Sequence, residues 1–106
     1  MTGAERERTI ERYLGNKVKA LGCLYMKFVS PGNVGVPDRI IVTPAGDVIF
    51  VELKTISGVL SEAQRLMLKR LEDHKADVWL VHGMAGADVL IQYIQHRLKR
   101  GIDDGI

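Results

Sequence analysis

The sequence has little of several things, and each shortage excludes something. Cys23 is the one cysteine among 106 residues, so no intrachain disulfide can form and a reducing compartment is expected. One cysteine and three histidines without zinc-ligand spacing argue against a structural zinc site. No apolar run approaches the roughly 18 residues that cross a bilayer. The charged stretch from Met1 to Glu11 lacks the apolar segment of a signal peptide. Neither sign of charge dominates, with 15 Lys and Arg against 13 Asp and Glu. That mildly basic balance permits a nucleic-acid partner without demanding one. There is no internal repeat, linker, nicotinamide fingerprint, Walker-type phosphate loop, nucleophile elbow or kinase signature. The expectation is a soluble, cytoplasmic protein with no membrane association.

What is present suffices for one domain spanning residues 1–106. Hydrophobic residues make up 46% and charged residues 26%, a globular balance that can build a core without metal or disulfide. Thr2 and Glu5 have capping-box spacing. Ile10, Tyr13, Leu14, Val18 and Leu21 then form one apolar stripe, predicting a helix over about 3–21 stopped by Gly22. Residues 23–29 read as a strand, and 30–37, with two prolines and two glycines, as a loop. Residues 38–43 and 47–54 read as two strands joined by the tight turn Pro44-Ala45-Gly46. Both are apolar at consecutive positions, which predicts helices covering both faces of the sheet. Ser61 and Gln64 have capping-box spacing again and start a helix reaching about residue 75. Residues 77–82 form a further strand, Gly83 to Gly86 a turn, and Val89 to Leu98 a last amphipathic helix before a mobile tail from Gly101. The predicted class is mixed α/β, in the order α-β-β-β-α-β-α.

The chemistry concentrates in Pro37-Asp38 and Glu52-Leu53-Lys54. Strand residues two apart share a face, so Glu52 and Lys54 point the same way. If the hairpin turn centres on residue 45, opposing residue numbers sum to 90 and Asp38 faces Glu52. Their Cβ atoms would then be roughly 4.5–5.5 Å apart. A register summing to 91 would put the two acids on opposite faces. Two carboxylates this close repel, and one tends to keep a proton. A divalent cation such as Mg²⁺, which takes few protein carboxylates and keeps several waters, removes the conflict. It also activates water and polarises a phosphodiester oxygen. The adjacent Lys54 charge favours hydroxide and the extra negative charge of the transition state. Acid and lysine two apart on a strand are, on their own, most often a solvent-facing pair. What points to chemistry is their place at the end of an apolar strand, with an aspartate at matched distance.

The segments SPGNVGVPDRIIV (30–42), FVELK (50–54) and LSEAQ (60–64) resemble the virus-type replication-repair nuclease family, VRR-NUC. That family belongs to the PD-(D/E)xK nuclease superfamily, and the likeness runs over about residues 7–82. It implies a restriction-endonuclease-like fold and Mg²⁺- or Mn²⁺-dependent DNA cleavage. For the stand-alone members it implies homodimers that cut four-way (Holliday) junctions. By the same resemblance Asp38 and Glu52 match metal-binding acids, the Leu53 carbonyl a backbone ligand, and Lys54 the catalytic lysine. Glu11 matches the helix-one glutamate that assists the metal, with Glu7, one turn earlier, as the rival. Gln64 matches a glutamine near the active site, although helix capping alone would explain it. Cys23 stands where many relatives carry a second glycine. Lys27 and Arg39 flank the site and could touch phosphates or simply be solvated. Three other functions stay open: a flap- or single-strand-directed nuclease, a non-catalytic DNA-binding module, and a structural α/β protein with Glu52 and Lys54 as a surface pair.

Overall fold

A computed structural model describes the backbone of residues 6–105 and the side chains as far as residue 100. In chain order the elements are α1 (Glu7–Ala20), β1 (Leu24–Lys27), β2 (Arg39–Val42), β3 (Val48–Lys54), α2 (Glu62–Asp73), β4 (Asp77–His82) and α3 (Gly83–Gly105). This is the predicted order. The strands form one sheet, β1-β2-β3-β4, antiparallel at its first two pairings and parallel between β3 and β4.

In α1, Ile10, Leu14 and Val18 recur every four residues and are fully buried. The helix ends in a Schellman motif: Cys23 N–H donates to the Val18 carbonyl at 3.0 Å and Gly22 N–H to that of Lys19 at 2.9 Å. Gly22 is therefore the stop that the pattern predicted. The proposed Thr2–Glu5 capping box lies outside the described residues. The N-cap position falls to Arg6, whose side chain makes no capping bond.

Alternation along the strands divides the sheet into two unlike faces. Tyr25, Arg39, Ile41, Ile49, Val51, Leu53, Trp79 and Val81 share one face. Its buried members meet Ile10, Leu14 and Val18 of α1 and Ala87, Leu90, Ile91 and Ile94 of α3 in one core. Tyr13 of α1 also donates its hydroxyl to Asp88 of α3. The other face carries Met26, Ile40, Phe50, Glu52, Lys54, Leu80 and His82, and α2 lies over it.

Complete cover on both faces was the expectation, and the second face departs from it. Leu24, Met26 and Val48 remain 59%, 43% and 47% exposed. Four strands at about 4.8 Å spacing present a surface near 19 Å wide. One helix is about 10 Å across, so two are needed to cover a face. The first face has α1 and α3, whereas the second has α2 alone, packed towards β4.

The chain after β4 also differs from expectation. Gly83 to Gly86 form no turn, because α3 begins at Gly83 itself and continues through Gly105, so the backbone from Gly101 is helical. Gly83 makes the bend from strand to helix in one residue, at φ +67, a conformation that costs glycine little. Among the described residues, no helix is long and apolar enough to cross a membrane.

Gly15 tests the fit of α1 to the sheet. A Cβ placed there would lie 2.6 Å from the Tyr25 ring. That ring cannot easily retreat, since its hydroxyl donates to the Glu11 carbonyl at 2.8 Å and Arg39 stacks on it at 4.6 Å. Helix propensity alone would make Gly15→Ala stabilising by about 1 kcal/mol. Overpacking, at about 1–3 kcal/mol, opposes it. We expect a net destabilisation of about 1 kcal/mol, seen as a lower midpoint in urea.

Candidate active site

The hairpin register decides whether the two acids meet. Arg39 pairs with Val51 and Ile40 with Phe50, so opposing numbers sum to 90. The next position outward sets Asp38 against Glu52. Thr43 N–H donates to the Asp47 carbonyl at 2.9 Å, which makes 43–47 a hydrogen-bonded pair. Such pairs alternate along an antiparallel ladder, so Asp38 and Glu52 occupy a non-hydrogen-bonded position, where side chains lie closest. The carboxylates thus stand side by side on the face that α2 partly covers.

The same alternation makes Pro37 and Leu53 the next hydrogen-bonding position. Proline has no N–H, so the ladder bond that the Leu53 carbonyl would accept cannot form. The Leu53 N–H, whose ladder acceptor would be the Pro37 carbonyl, donates to Asp38 Oδ2 at 3.1 Å. Asp38 is held on its other side as well, where its carbonyl accepts from Phe28 N–H at 2.9 Å. The proline–aspartate dipeptide alone does not reveal this part for Pro37; the register places it there directly.

Glu52 is only 1% exposed. Its Oε2 accepts from Gln64 Nε2 at 3.0 Å and lies 3.8 Å from Lys54 Nζ. Its Oε1 is buried without a hydrogen-bond partner among the described residues. Burial pushes the Glu52 pKa up to about 7. The Asp38 charge adds to the rise, Lys54 opposes it, and Glu7 contributes a smaller increase. Burial and the neighbouring Asp38 thus favour the protonated form of Glu52 far above the ordinary carboxylate range.

Gln64 both caps α2 and reaches Glu52. Its Oε1 accepts from Ser61 N–H at 2.9 Å, and its own N–H donates to Ser61 Oγ at 3.1 Å. That completes the capping box of α2 and leaves the amide Nε2 directed at Glu52. The loop before β2 buttresses this helix end. A Cβ on Gly35 would stand 2.4 Å from the Ala63 carbonyl oxygen, so only a glycine passes so close to the start of α2.

The helix-one glutamates divide differently. Glu11 is engaged by Arg39, whose Nε donates to its Oε2 at 3.1 Å. Arg39 itself belongs to the core face and stacks on Tyr25. Glu7 is exposed, and its charge reaches Glu52. Lys27 is exposed, while Lys54 is only 17% exposed.

Among the described residues, no three His, Cys, Asp or Glu side chains are grouped to hold a metal ion. The available donors are two carboxylates and a backbone carbonyl. They suit a small hard cation that keeps most of its waters. The unpartnered Glu52 oxygen fits this, because a buried carboxylate oxygen without a partner is costly.

Sheet order and site together define an α/β domain with two acids and a lysine where β2 and β3 part. The VRR-NUC domain model matches residues 5–85 of this sequence, and the chain belongs to the VRR-NUC family. A solved VRR-NUC domain superposes with a TM-score of 0.75 at 29% identity, covering 81% of this chain and 94% of that one. A protein named "Putative nuclease p44", from Acyrthosiphon pisum secondary endosymbiont phage 1, is 51% identical over 49 residues. That stretch is 46% of this chain and 53% of the phage protein, so this chain spans about half of that relative's length.

Glu52 makes a prediction about pH. Its folded pKa of about 7 lies above the ordinary value of 4.5. Between those values the native state binds more protons than the unfolded chain, so this group's contribution to stability falls as pH rises. Without divalent metal, Glu52→Gln should equal or exceed wild type at pH 8, by on the order of 1–3 kcal/mol. That advantage should shrink at pH 5. Urea melts at the two pH values in EDTA check this.

Proposed function

We propose that this chain is a Mg²⁺- or Mn²⁺-dependent, structure-specific DNA endonuclease that cuts four-way junctions as a homodimer. The observation that carries the reading is the buried, half-partnered Glu52 carboxylate beside Asp38 and Lys54, in a chain of VRR-NUC family and fold. The naming of the phage relative as a nuclease agrees with it.

Asp38, Glu52 and the Leu53 carbonyl are the groups that would hold the ion. The chemistry such an ion supplies when bound is Lewis-acid activation of a phosphodiester and of water. Gln64 fixes Glu52 through Oε2 and so leaves Oε1 for that purpose. The Leu53 N–H does the same for Asp38. Lys54 places a positive charge beside Glu52, where it favours an attacking hydroxide and the negative charge that grows on the phosphoryl oxygens. Glu7, whose charge reaches Glu52, is better placed than the ion-paired Glu11 to assist. DNA shape would be read through the phosphate backbone and not through base edges. A junction offers two scissile strands related by approximate two-fold symmetry, which a symmetric dimer with two sites matches. The dimer and the junction preference rest on the family resemblance.

Purified protein with labelled four-way junction, flap and linear duplex should give paired symmetric nicks in the junction when Mg²⁺ or Mn²⁺ is added. A single nick at the flap would favour the flap-directed alternative. EDTA should abolish cleavage. Asp38→Ala should still bind the junction in a gel shift while losing about 10³-fold in turnover. Cleavage unchanged by both EDTA and Asp38→Ala would end this reading.

A further inference from the structure

His82 has no part in the mechanism above, yet it stands next to it. It is the last residue of β4 and the ladder partner of Lys54, on the same face of the sheet. Its Nε2 lies 3.0 Å from the Gly58 carbonyl oxygen. A carbonyl can only accept, so His82 Nε2 carries the proton in this contact. Gly58 in turn lies against the Lys54 stem. A Cβ built on Gly58 would sit 3.2 Å from Lys54 Cβ and 3.3 Å from its Cδ. The intervening turn is closed by Gly58 N–H donating to the Thr55 carbonyl at 3.0 Å. Ile56, within it, packs against Gly83, the neighbour of His82.

Lys54 needs such a constraint. A lysine side chain has many rotamers to choose among, and its ammonium is a point charge without a fixed direction. The contact with Glu52, at 3.8 Å, is too long to be a hydrogen bond that would orient it. What narrows its path is the wall formed by Gly58 along the stem.

We propose that His82 is a positioning residue: by holding the Gly58 carbonyl it keeps the 55–58 turn against Lys54 and the ammonium over Glu52. The proposal rests on Lys54 serving the reaction. It also accounts for a glycine at 58, since the backbone itself has to touch the lysine stem. A histidine that merely satisfied a loop carbonyl would matter for stability and not for turnover, and the two roles separate experimentally.

The test compares wild type, His82→Leu, His82→Gln and Gly58→Ala on a four-way junction with Mn²⁺, with Lys54→Met alongside. His82→Leu removes the donor and should lower kcat about ten-fold or more, because small misplacements of reacting groups are costly. KM should stay within about two-fold, since substrate binding is untouched. His82→Gln presents an amide N–H at similar reach and should recover most of the loss. Gly58→Ala leaves His82 in place but crowds the lysine stem, and should lower kcat in the same way. In protein free of metal and DNA, hydrogen exchange at the Gly58 amide should speed up about ten-fold in His82→Leu and not in His82→Gln. The proposal fails if His82→Leu keeps wild-type kcat and Gly58 exchange. It fails equally if glutamine is no better than leucine. Should Lys54→Met cut at the wild-type rate, the catalytic reading of Lys54 fails first and the role of His82 falls with it.

Discussion

Glu52 is a carboxylate shut away from water, beside a second carboxylate, with a hydrogen-bond partner among the described residues for only one of its two oxygens. Burial raises its pKa to about 7, and Asp38 adds to the rise. A group in that state is costly to keep, and folding alone would be better served by an apolar residue there. The surroundings do not relieve the cost. Gln64 takes Oε2, Lys54 stays too far to hydrogen-bond, and Oε1 is left over. A cation with open coordination positions is the kind of partner that would relieve it.

The sheet can carry this burden because β3 divides its residues between two tasks. Ile49, Val51 and Leu53 face α1 and α3 and are fully buried in the core. Glu52 and Lys54, on the alternate positions, face the side that α2 covers incompletely. Period-two alternation therefore ties the placement of the acid and the lysine to the best-packed part of the molecule. A shift of one residue would bring Glu52 and Lys54 into the core and turn Val51 and Leu53 out. The core thus protects the register, and the register brings Asp38 to Glu52.

Much of this was legible in the sequence. The stripe Ile10, Leu14, Val18 marked α1, Gly22 its end, and Pro44-Ala45-Gly46 the hairpin turn from which the Asp38–Glu52 pairing follows. Other features were hidden because they depend on contacts between segments distant along the chain. The strands read as apolar on both sides, but nothing in a single sequence says that one face receives two helices and the other one. Glycines 83 and 86 signalled a turn by local propensity, and α3 overrode it through the burial of Ala87 and Leu90. Glu11 and Glu7 are equivalent by helical spacing. Only the position of Arg39 across the sheet shows that the first is engaged. Gln64 looked like a choice between capping and chemistry because a sequence motif cannot show that the two ends of one amide serve different partners.

Proline followed by aspartate at the head of β2 has a physical reason of its own. A sheet normally satisfies every backbone carbonyl in its interior, which leaves none free to bind anything else. Opposite Leu53, Pro37 withholds the one N–H that would close the ladder. The next residue, Asp38, supplies a carboxylate that takes the Leu53 N–H in place of the Pro37 carbonyl, its ordinary ladder acceptor. The donor is satisfied and the acceptor is released, in two consecutive residues. Alanine at 37 would restore a donor to the ladder and compete for the Leu53 carbonyl while leaving every side chain of the site in place. The proline therefore shapes the backbone of the candidate site, although it carries no reactive group.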